Sequence, residues 1–201
     1  GNDGALGLTT QGTIVADGAT LAFSHATGID VSGEAITANG FGAAGQTGAV
    51  ANLLGNNTYS GVITATVVAA GNLGIGSAAG RLTLEGTINQ QLSKLTFNGA
   101  GDVVVNSAIS GVEGVVKNGL GSVTLGGNNT YNGVTTVNAG TLIAGHNNAL
   151  GTTTAGTSVA NGATLGLTRD TTNADITITG ETINIHGMGA AGRPGALVNV
   201  L

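Results

Sequence analysis

Residues 115–142 decide the fold, and they read VVKNGLGSVTLGGNNTYNGVTTVNAGTL. Within this stretch, segments 115–117, 122–125 and 134–137 alternate apolar and polar residues and are separated by turns rich in Asn and Gly. A period of two predicts β-strands, because successive side chains of a strand point to opposite faces. Asn and Gly supply the positive φ that tight turns need. The stretch therefore predicts short strands joined by tight corners.

The same pattern runs along the whole chain, with a strand of mostly three to five residues at intervals of about ten residues. No segment shows the 3.6-residue apolar spacing and the caps of a helix, so no helix is predicted. Such strands suit either a sandwich or a solenoid. The predicted strands are 13–15, 19–23, 63–68, 82–84, 94–97, 102–105, 115–117, 122–125, 134–137, 141–144, 164–167, 176–178 and 182–185.

Long internal repeats favour the solenoid. Residues 1–23 align without gaps to residues 145–167, with 14 of 23 positions identical. Residues 33–54 align to residues 180–201, with 12 of 22 identical. The two offsets, 144 and 147, are reconciled by a three-residue insertion near 171–174. Repetition at a fixed long period is the signature of stacked repeat architectures.

A shorter repeat of about 72 residues lies inside the longer one, since 55–61 (GNNTYSG) and 127–133 (GNNTYNG) differ at one position. We therefore predict one continuous β-solenoid over residues 1–201, without a linker and with about 1.4 copies of the long repeat. Coils of about 20 residues stacked about 4.8 Å apart would give roughly ten coils and a rod about 50 Å long. Equivalent repeats are expected at the same place in the coil.

Composition agrees with a narrow β-sheet interior. Gly accounts for 38 residues, charged residues for 7% and aromatic residues for 2%, whereas ordinary soluble domains are roughly 25% charged. The apolar side chains are mainly Val, Ile, Leu and Ala, which fill a narrow space between short strands. The residues expected to be buried are Val15, Leu21, Leu125, Val137, Leu142, Val159 and Leu165.

Composition also excludes several other classes of protein. Disorder is excluded because β-branched residues are abundant and the net charge is only −5. Collagen needs Gly at every third position and many prolines, and the sequence has one Pro. No apolar stretch approaches the roughly 18 residues of a membrane span, and five aromatic residues cannot form the girdles of a membrane barrel. The five Lys and Arg residues are scattered, which argues against nucleic acid and anionic lipid as partners.

The motif order in residues 115–142 resembles a known family. A Lys-Asn-Gly turn at 117–119 is followed by a Gly-x-x-Thr-Leu strand at 121–125 and an Asn-Thr-Tyr-x-Gly corner at 129–133. A Thr-Thr-Val strand at 135–137 and an Ala-Gly-Thr-Leu strand at 139–142 complete the order. This resembles the passenger-associated repeat of bacterial autotransporters, also called the autotransporter-associated β-strand repeat.

The resemblance covers about 50 residues well, and a degenerate copy lies at 55–85. It implies a single-stranded, right-handed parallel β-helix exported to the cell surface, and it brings no catalytic residues. The barrel that translocates an autotransporter passenger is not in this sequence, so the resemblance favours a surface β-helix more than an autotransporter as such.

An enzyme is considered because some β-helices are polysaccharide lyases or hydrolases, and sites rather than folds decide function. No carboxylate lies within two positions of another in the sequence, and Glu34 and Glu181 occupy equivalent repeat positions, which indicates a structural role. A carboxylate pair between stacked coils stays open but is not favoured. The ten carboxylates are Asp3, Asp17, Asp30, Glu34, Glu85, Asp102, Glu113, Asp170, Asp175 and Glu181.

No metal or cofactor site is predicted. His25, His146 and His186 lack zinc-ligand spacing, and His146 and His186 align with Asn2 and Asn39, which suggests turn residues at positive φ. Residues 99–102 (GAGD) are similar to one degenerate calcium-binding turn, and 71–76 (GNLGIG) is a glycine-rich segment without the Lys or helix of a phosphate loop. We favour a plain turn at 99–102, and we interpret 71–76 as a glycine-rich loop that does not bind phosphate.

The two tyrosines, Tyr59 and Tyr131, are equivalent in the 72-residue repeat. They are either sugar-stacking platforms or corner residues whose rings pack over the coil edge, and the corner interpretation is favoured.

The sequence thus predicts a non-enzymatic structural fibre, stalk or sheath segment outside the cell or on a bacterial surface. The alternative is an adhesin or a glycan-binding passenger domain. Expected partners are the chain itself, end to end or laterally, or flanking repeats of the same chain, with surface glycans as a further possibility. Gly1 and Leu201 both fall inside a repeat, so both ends of the solenoid are expected to be uncapped.

Overall fold

The computed structural model describes residues 5–7, 10–67 and 71–200. The residues Gly1, Asn2, Asp3, Val68 and Leu201, which entered the expectations above, lie outside the described residues. The described chain contains 21 strands and no helix, and so no helix that could cross a membrane. The strands are β1 (Thr13–Val15), β2 (Leu21–Ser24), β3 (Asp30–Val31), β4 (Ile36–Ala38), β5 (Val50–Leu54), β6 (Asn56–Tyr59), β7 (Ile63–Ala65), β8 (Gly71–Ser77), β9 (Arg81–Leu84), β10 (Ile88–Asn89), β11 (Ser93–Asn98), β12 (Asp102–Val105), β13 (Ile109–Ser110), β14 (Val115–Lys117), β15 (Ser122–Leu125), β16 (Thr135–Val137), β17 (Gly140–Ala144), β18 (Thr157–Val159), β19 (Ala163–Leu167), β20 (Ile183–Ile185) and β21 (Leu197–Asn199).

The strands stack into three parallel sheets, which confirms the predicted all-β solenoid. Sheet A has the order β1-β4-β7-β10-β13, sheet B has the order β2-β5-β8-β11-β14-β16-β18-β20, and sheet C has the order β3-β6-β9-β12-β15-β17-β19-β21. Each of coils 1 to 5 contributes one strand to every sheet, whereas coils 6, 7 and 8 contribute strands to sheets B and C alone. Seven turns separate the first and last strands of sheet B, so the stack is roughly 34 Å long at the usual spacing.

The expectation of ten coils of about 20 residues is wrong because the coils differ in length. The 20-residue spacing holds in the middle of the rod, where Leu95, Val115 and Thr135 are successive partners in sheet B. Near the first coil, however, Leu21 pairs with Val50, 29 residues later. The extra residues form loops at the corners, and these loops leave the paired strands of each sheet continuous. Because longer coils use more residues, the chain forms fewer of them.

Inward-facing side chains fill the rod with a continuous apolar column. In sheet C, Leu84, Val105, Leu125 and Ala144 are stacked in register and have no exposed surface. Burying each Val or Leu side chain stabilises the fold by about 1.5–3 kcal/mol. Six of the seven residues predicted to be buried are buried, and Leu21 is partly buried against the same core.

Twelve of the thirteen predicted strands coincide with observed ones. The exception is 176–178, which is not a strand, although Ile176 and Ile178 still pack against the core. The sequence pattern missed nine observed strands, which are β3, β4, β5, β6, β8, β10, β13, β18 and β21. The two-residue strands β3, β10 and β13 are too short to show alternation, and the glycines of β8 hide its period.

The repeats are equivalent strand for strand but do not occupy the same place in the coil. Strands β1 and β2 lie in sheets A and B, whereas their counterparts β18 and β19 lie in sheets B and C. The second pair of aligned segments behaves in the same way, since β4 and β5 are in sheets A and B and β20 and β21 are in sheets B and C. The expectation of a common place is therefore wrong, because the number of strand positions in the long repeat is not a multiple of three.

Candidate functional site

Both tyrosines lie inside the rod and have no exposed surface. The Tyr59 hydroxyl donates to the carbonyl oxygen of Glu34, and the Tyr131 hydroxyl lies 2.6 Å from Oγ1 of Thr135. Burial raises the pKa of both phenols well above the usual value. The rings are therefore corner residues packed into the core, and neither can act as a platform for a sugar.

The two repeat-equivalent carboxylates have the same structural role. Oε1 of Glu34 accepts a hydrogen bond from Thr13 Oγ1 at 2.8 Å, and Oε1 of Glu181 accepts one from Thr157 Oγ1 at 2.6 Å. Thr13 and Thr157 are themselves equivalent in the long repeat. Each pair joins neighbouring coils at a corner, which is a role expected of residues replicated with the repeat.

The histidines lie in turns, but not at positive φ. His25 Nδ1 lies 3.2 Å from Thr27 Oγ1, His146 Nδ1 accepts from the Asn148 amide at 3.0 Å, and His186 is exposed. Among the described non-glycine residues, only Gln91 and Asn173 have positive φ. The expectation of left-handed histidines is wrong because neighbouring glycines, such as Gly187 at φ 80°, make the turns. Residues 5–7, 10–67 and 71–200 contain no group of three or more His, Asp or Glu that could hold a metal ion.

The glycine-rich segment 71–76 is strand β8, not a loop. Its outward-facing residues Gly74 and Gly76 lie under the loop 41–47: a Cβ on Gly74 would be 3.1 Å from Phe41 Cα, and one on Gly76 would be 2.6 Å from Thr47 Cβ. These glycines therefore serve packing. Likewise Asp102, at the end of the segment 99–102, accepts hydrogen bonds from the Ser122 amide and hydroxyl in the next coil.

Lys117, predicted at the end of strand 115–117 and at the start of the Lys-Asn-Gly turn, is the last residue of β14 and is buried in sheet B between Phe97 and Val137, with 1% exposed surface. Its Nζ donates to the carbonyl oxygen of Gly119 and to that of Ala139, the latter at 3.1 Å. Burial lowers the pKa of Lys117 to about 8, although the Asp102 carboxylate opposes this shift. The side chain thus joins the B–C corners of coils 5 and 6.

One hollow of about 380 Å³ interrupts the surface beside the insertion in the second repeat. Its lining residues are Leu167, Thr168, Arg169, Asp175, Ile176 and Asn199. The Arg169 guanidinium pairs with the Asp175 carboxylate at 3.1 Å across the base of the inserted loop. The sequence located the insertion but assigned it no function. The available signal was the charge of the loop, since residues 169–175 hold three of the fifteen charged side chains of the chain.

Residues 115–144 match the passenger-associated-transport-repeat family. The chain is also similar to the Adhesin BmaC autotransporter of Brucella suis biovar 1 (strain 1330), with 33% identity over 90 residues. That match covers 45% of this chain and 3% of the length of the Brucella protein. No solved structure matches.

Proposed function

Because this chain carries a repeat of the passenger-associated family, we propose that it is a rigid segment of a surface-displayed passenger. In this role it holds other parts of the same protein away from the cell. The observation that carries the proposal is the unbroken stack of eight parallel strands in each of sheets B and C. A stack of this kind is stiff along its axis, because each strand is hydrogen-bonded to its neighbours in the same sheet.

The contacts between coils support stiffness at the corners as well as in the sheets. Asn138 donates to Asn118 at 2.7 Å, and Asn148 donates to Asn128 at 2.8 Å, each across one coil boundary. Together with the Lys117 contact, these bonds tie neighbouring corners to each other. Bending the rod would require several of them to break together.

An adhesive role is the second candidate, and the name of the Brucella relative favours it. In that case the segment would contact a target directly instead of spacing another domain from the cell. The two roles predict different consequences when the segment is removed from the protein that carries it.

The test compares the parent protein with a variant that lacks these 201 residues. Antibody labelling of intact cells and electron microscopy would measure display and projection. We expect surface labelling of both proteins and rods shorter by roughly 34 Å in the variant. Labelling only after lysis would contradict the surface role. Unchanged rod length with lost adhesion would favour the adhesin.

Self-association of the chain stays a prediction. Sedimentation velocity of the purified 201-residue chain over a range of concentrations would test it directly, since end-to-end or lateral assembly raises the sedimentation coefficient with concentration.

A further inference from the structure

The hollow beside Arg169 lies where the second copy of the repeat departs from the first. Between Leu167 and Ile176 the second copy has eight residues, 168–175, whereas the first copy has five residues, 24–28, between Phe23 and Ile29. The first-copy segment, SHATG, contains no Arg, Lys, Asp or Glu. The residues that the two copies share serve packing. The inserted residues of the second copy have no counterpart in the first, so they mark a feature with a separate role.

The inserted loop is held in one conformation by its own side chains. Asp170 Oδ1 accepts hydrogen bonds from the Thr172 amide at 2.9 Å, the Thr172 hydroxyl at 2.7 Å and the Ala174 amide at 2.8 Å. The Thr172 and Ala174 hydrogen bonds hold the pKa of Asp170 below its usual value, so this carboxylate stays ionised. A loop fixed before a ligand arrives loses little entropy on binding.

The lining of the hollow offers both donors and acceptors without a net charge. Arg169 contributes a guanidinium and Asp175 a carboxylate, and their side chains are 45% and 86% exposed. Arg169 also donates from Nη1 to Asn173 at 3.4 Å, which fixes the plane of its donors. Leu167 and Ile176 supply an apolar wall beside these polar groups.

We infer that this hollow binds one neutral saccharide unit of a surface glycan. Sugar hydroxyls are donors and acceptors at once, so they suit a paired guanidinium and carboxylate, and the C–H face of a pyranose suits the apolar wall. The volume lies within the range of small-ligand sites. An anionic sugar is disfavoured because the Asp175 carboxylate neutralises Arg169 and the chain has a net charge of −5. The inference goes beyond the spacing role and does not depend on it.

The experiment is a titration of the ¹⁵N-labelled 201-residue chain, followed by amide chemical shifts. The probes are lactose, cellobiose and N,N′-diacetylchitobiose as neutral sugars, and digalacturonic acid as an anionic one. We expect at least one neutral sugar to shift amides in 167–176 saturably, with a dissociation constant on the order of 1 mM. We expect the anionic sugar to bind at least about tenfold more weakly.

Two variants locate the binding. Replacing residues 168–175 by SHATG restores the first-copy corner, which this fold already accommodates, and should abolish the shifts. Asp175→Ala removes an exposed carboxylate and its ion pair with Arg169, and it should weaken binding about tenfold, whereas Asp30→Ala removes an exposed carboxylate outside the hollow and should leave binding unchanged. The inference is overturned if no neutral sugar causes shifts up to its solubility limit. It is also overturned if the anionic sugar binds more tightly, if binding survives the replacement of residues 168–175, or if Asp175→Ala leaves the dissociation constant unchanged.

Discussion

The two Asn-Thr-Tyr corners share a sequence and occupy different faces of the rod. Asn57, Thr58 and Tyr59 form part of strand β6 in sheet C of coil 2. Residues 129–131 form no strand and stack on β13, at the sheet A side of coil 6, where the Thr130 amide donates to the Ile109 carbonyl oxygen at 2.9 Å. Ten strand positions separate the two corners, and ten is not a multiple of three.

The local contacts are nevertheless the same at both corners. Oδ1 of Asn57 accepts from the Ile29 amide, and Oδ1 of Asn129 accepts from the Ile109 amide, each at 2.9 Å. In both cases the amide belongs to the preceding coil, and the following Tyr side chain is buried. The motif therefore encodes a corner between two coils, and the lengths of the intervening coils decide which face receives it.

The largest expected effect is the loss of either tyrosine ring. Tyr59→Ala and Tyr131→Ala should each lower the free energy of unfolding by about 3–5 kcal/mol, because each leaves a large cavity in the core. Urea unfolding followed by circular dichroism measures this. If the two corners are equivalent, the two losses should agree to within about 1 kcal/mol. If only one of the two variants lost stability, the two corners would not be equivalent.

A smaller effect is expected at the two corner asparagines. Asn57→Ala and Asn129→Ala leave the Ile29 and Ile109 amides without their acceptor, which should lower the free energy of unfolding by about 1–3 kcal/mol in each case. The exposed Asn56, which precedes Asn57, provides a matched control. Its replacement by Ala should change the same quantity by less than about 0.5 kcal/mol. Equal effects at Asn56 and Asn57 would contradict the assigned role.

Lys117 distinguishes the two corners, because the position 72 residues earlier is Gly45. Its pKa is about 8 in the folded chain and 10.5 in the absence of structure. Between these values the unfolded chain binds more protons, so the free energy of unfolding should rise with pH. The variant Lys117→Met is the reference, because it keeps both tyrosines and the comparison therefore cancels the effect of their titration. Relative to this variant, the free energy of unfolding should rise by about 1.5 kcal/mol from pH 8 to about pH 9.5. Parallel pH profiles of the two proteins would show that Lys117 is not buried as described.

The smallest effect concerns the phenol hydroxyls. Tyr59→Phe and Tyr131→Phe keep the ring in the core and remove one hydrogen bond each, so each should lower the free energy of unfolding by about 1 kcal/mol. The partners of the two hydroxyls differ. The Tyr59 hydroxyl donates to a backbone carbonyl oxygen, whereas the Tyr131 hydroxyl bonds to the Thr135 hydroxyl, which itself donates to the Leu150 carbonyl oxygen. A loss as large as that of the Ala variants would mean that the hydroxyl, not the ring, stabilises the corner.

Much of the fold followed from the sequence because strand alternation and Asn-Gly corners are local signals. The assignment of strands to sheets did not follow, since it depends on the length of every intervening coil, and those lengths vary. Strand β8 was missed for a related reason. Its outward-facing glycines are required by the loop 41–47, which is a contact between segments distant in the sequence.

The hollow was harder to predict than the fold. The alignment places an insertion near residues 171–174, but the alignment alone does not show that Arg169 and Asp175 meet across its base. Likewise Lys117 reads as a turn residue, and only the inward orientation of strand β14 places its side chain among apolar neighbours. Both features depend on side-chain direction, which the repeat pattern does not specify.

The central claim is that equivalent repeat segments lie on different faces of one continuous solenoid, and cysteine cross-linking tests it most directly. The natural chain has no cysteine. Thr136 and Ser158 are register partners in sheet B, and parallel neighbours about 4.8 Å apart are within disulfide range. We predict that the double variant Thr136→Cys/Ser158→Cys forms an intramolecular disulfide on mild oxidation, and that Thr130→Cys/Ser158→Cys does not. The reverse result would place β18 in sheet A, on the same face as its repeat counterpart β1, and would contradict the account.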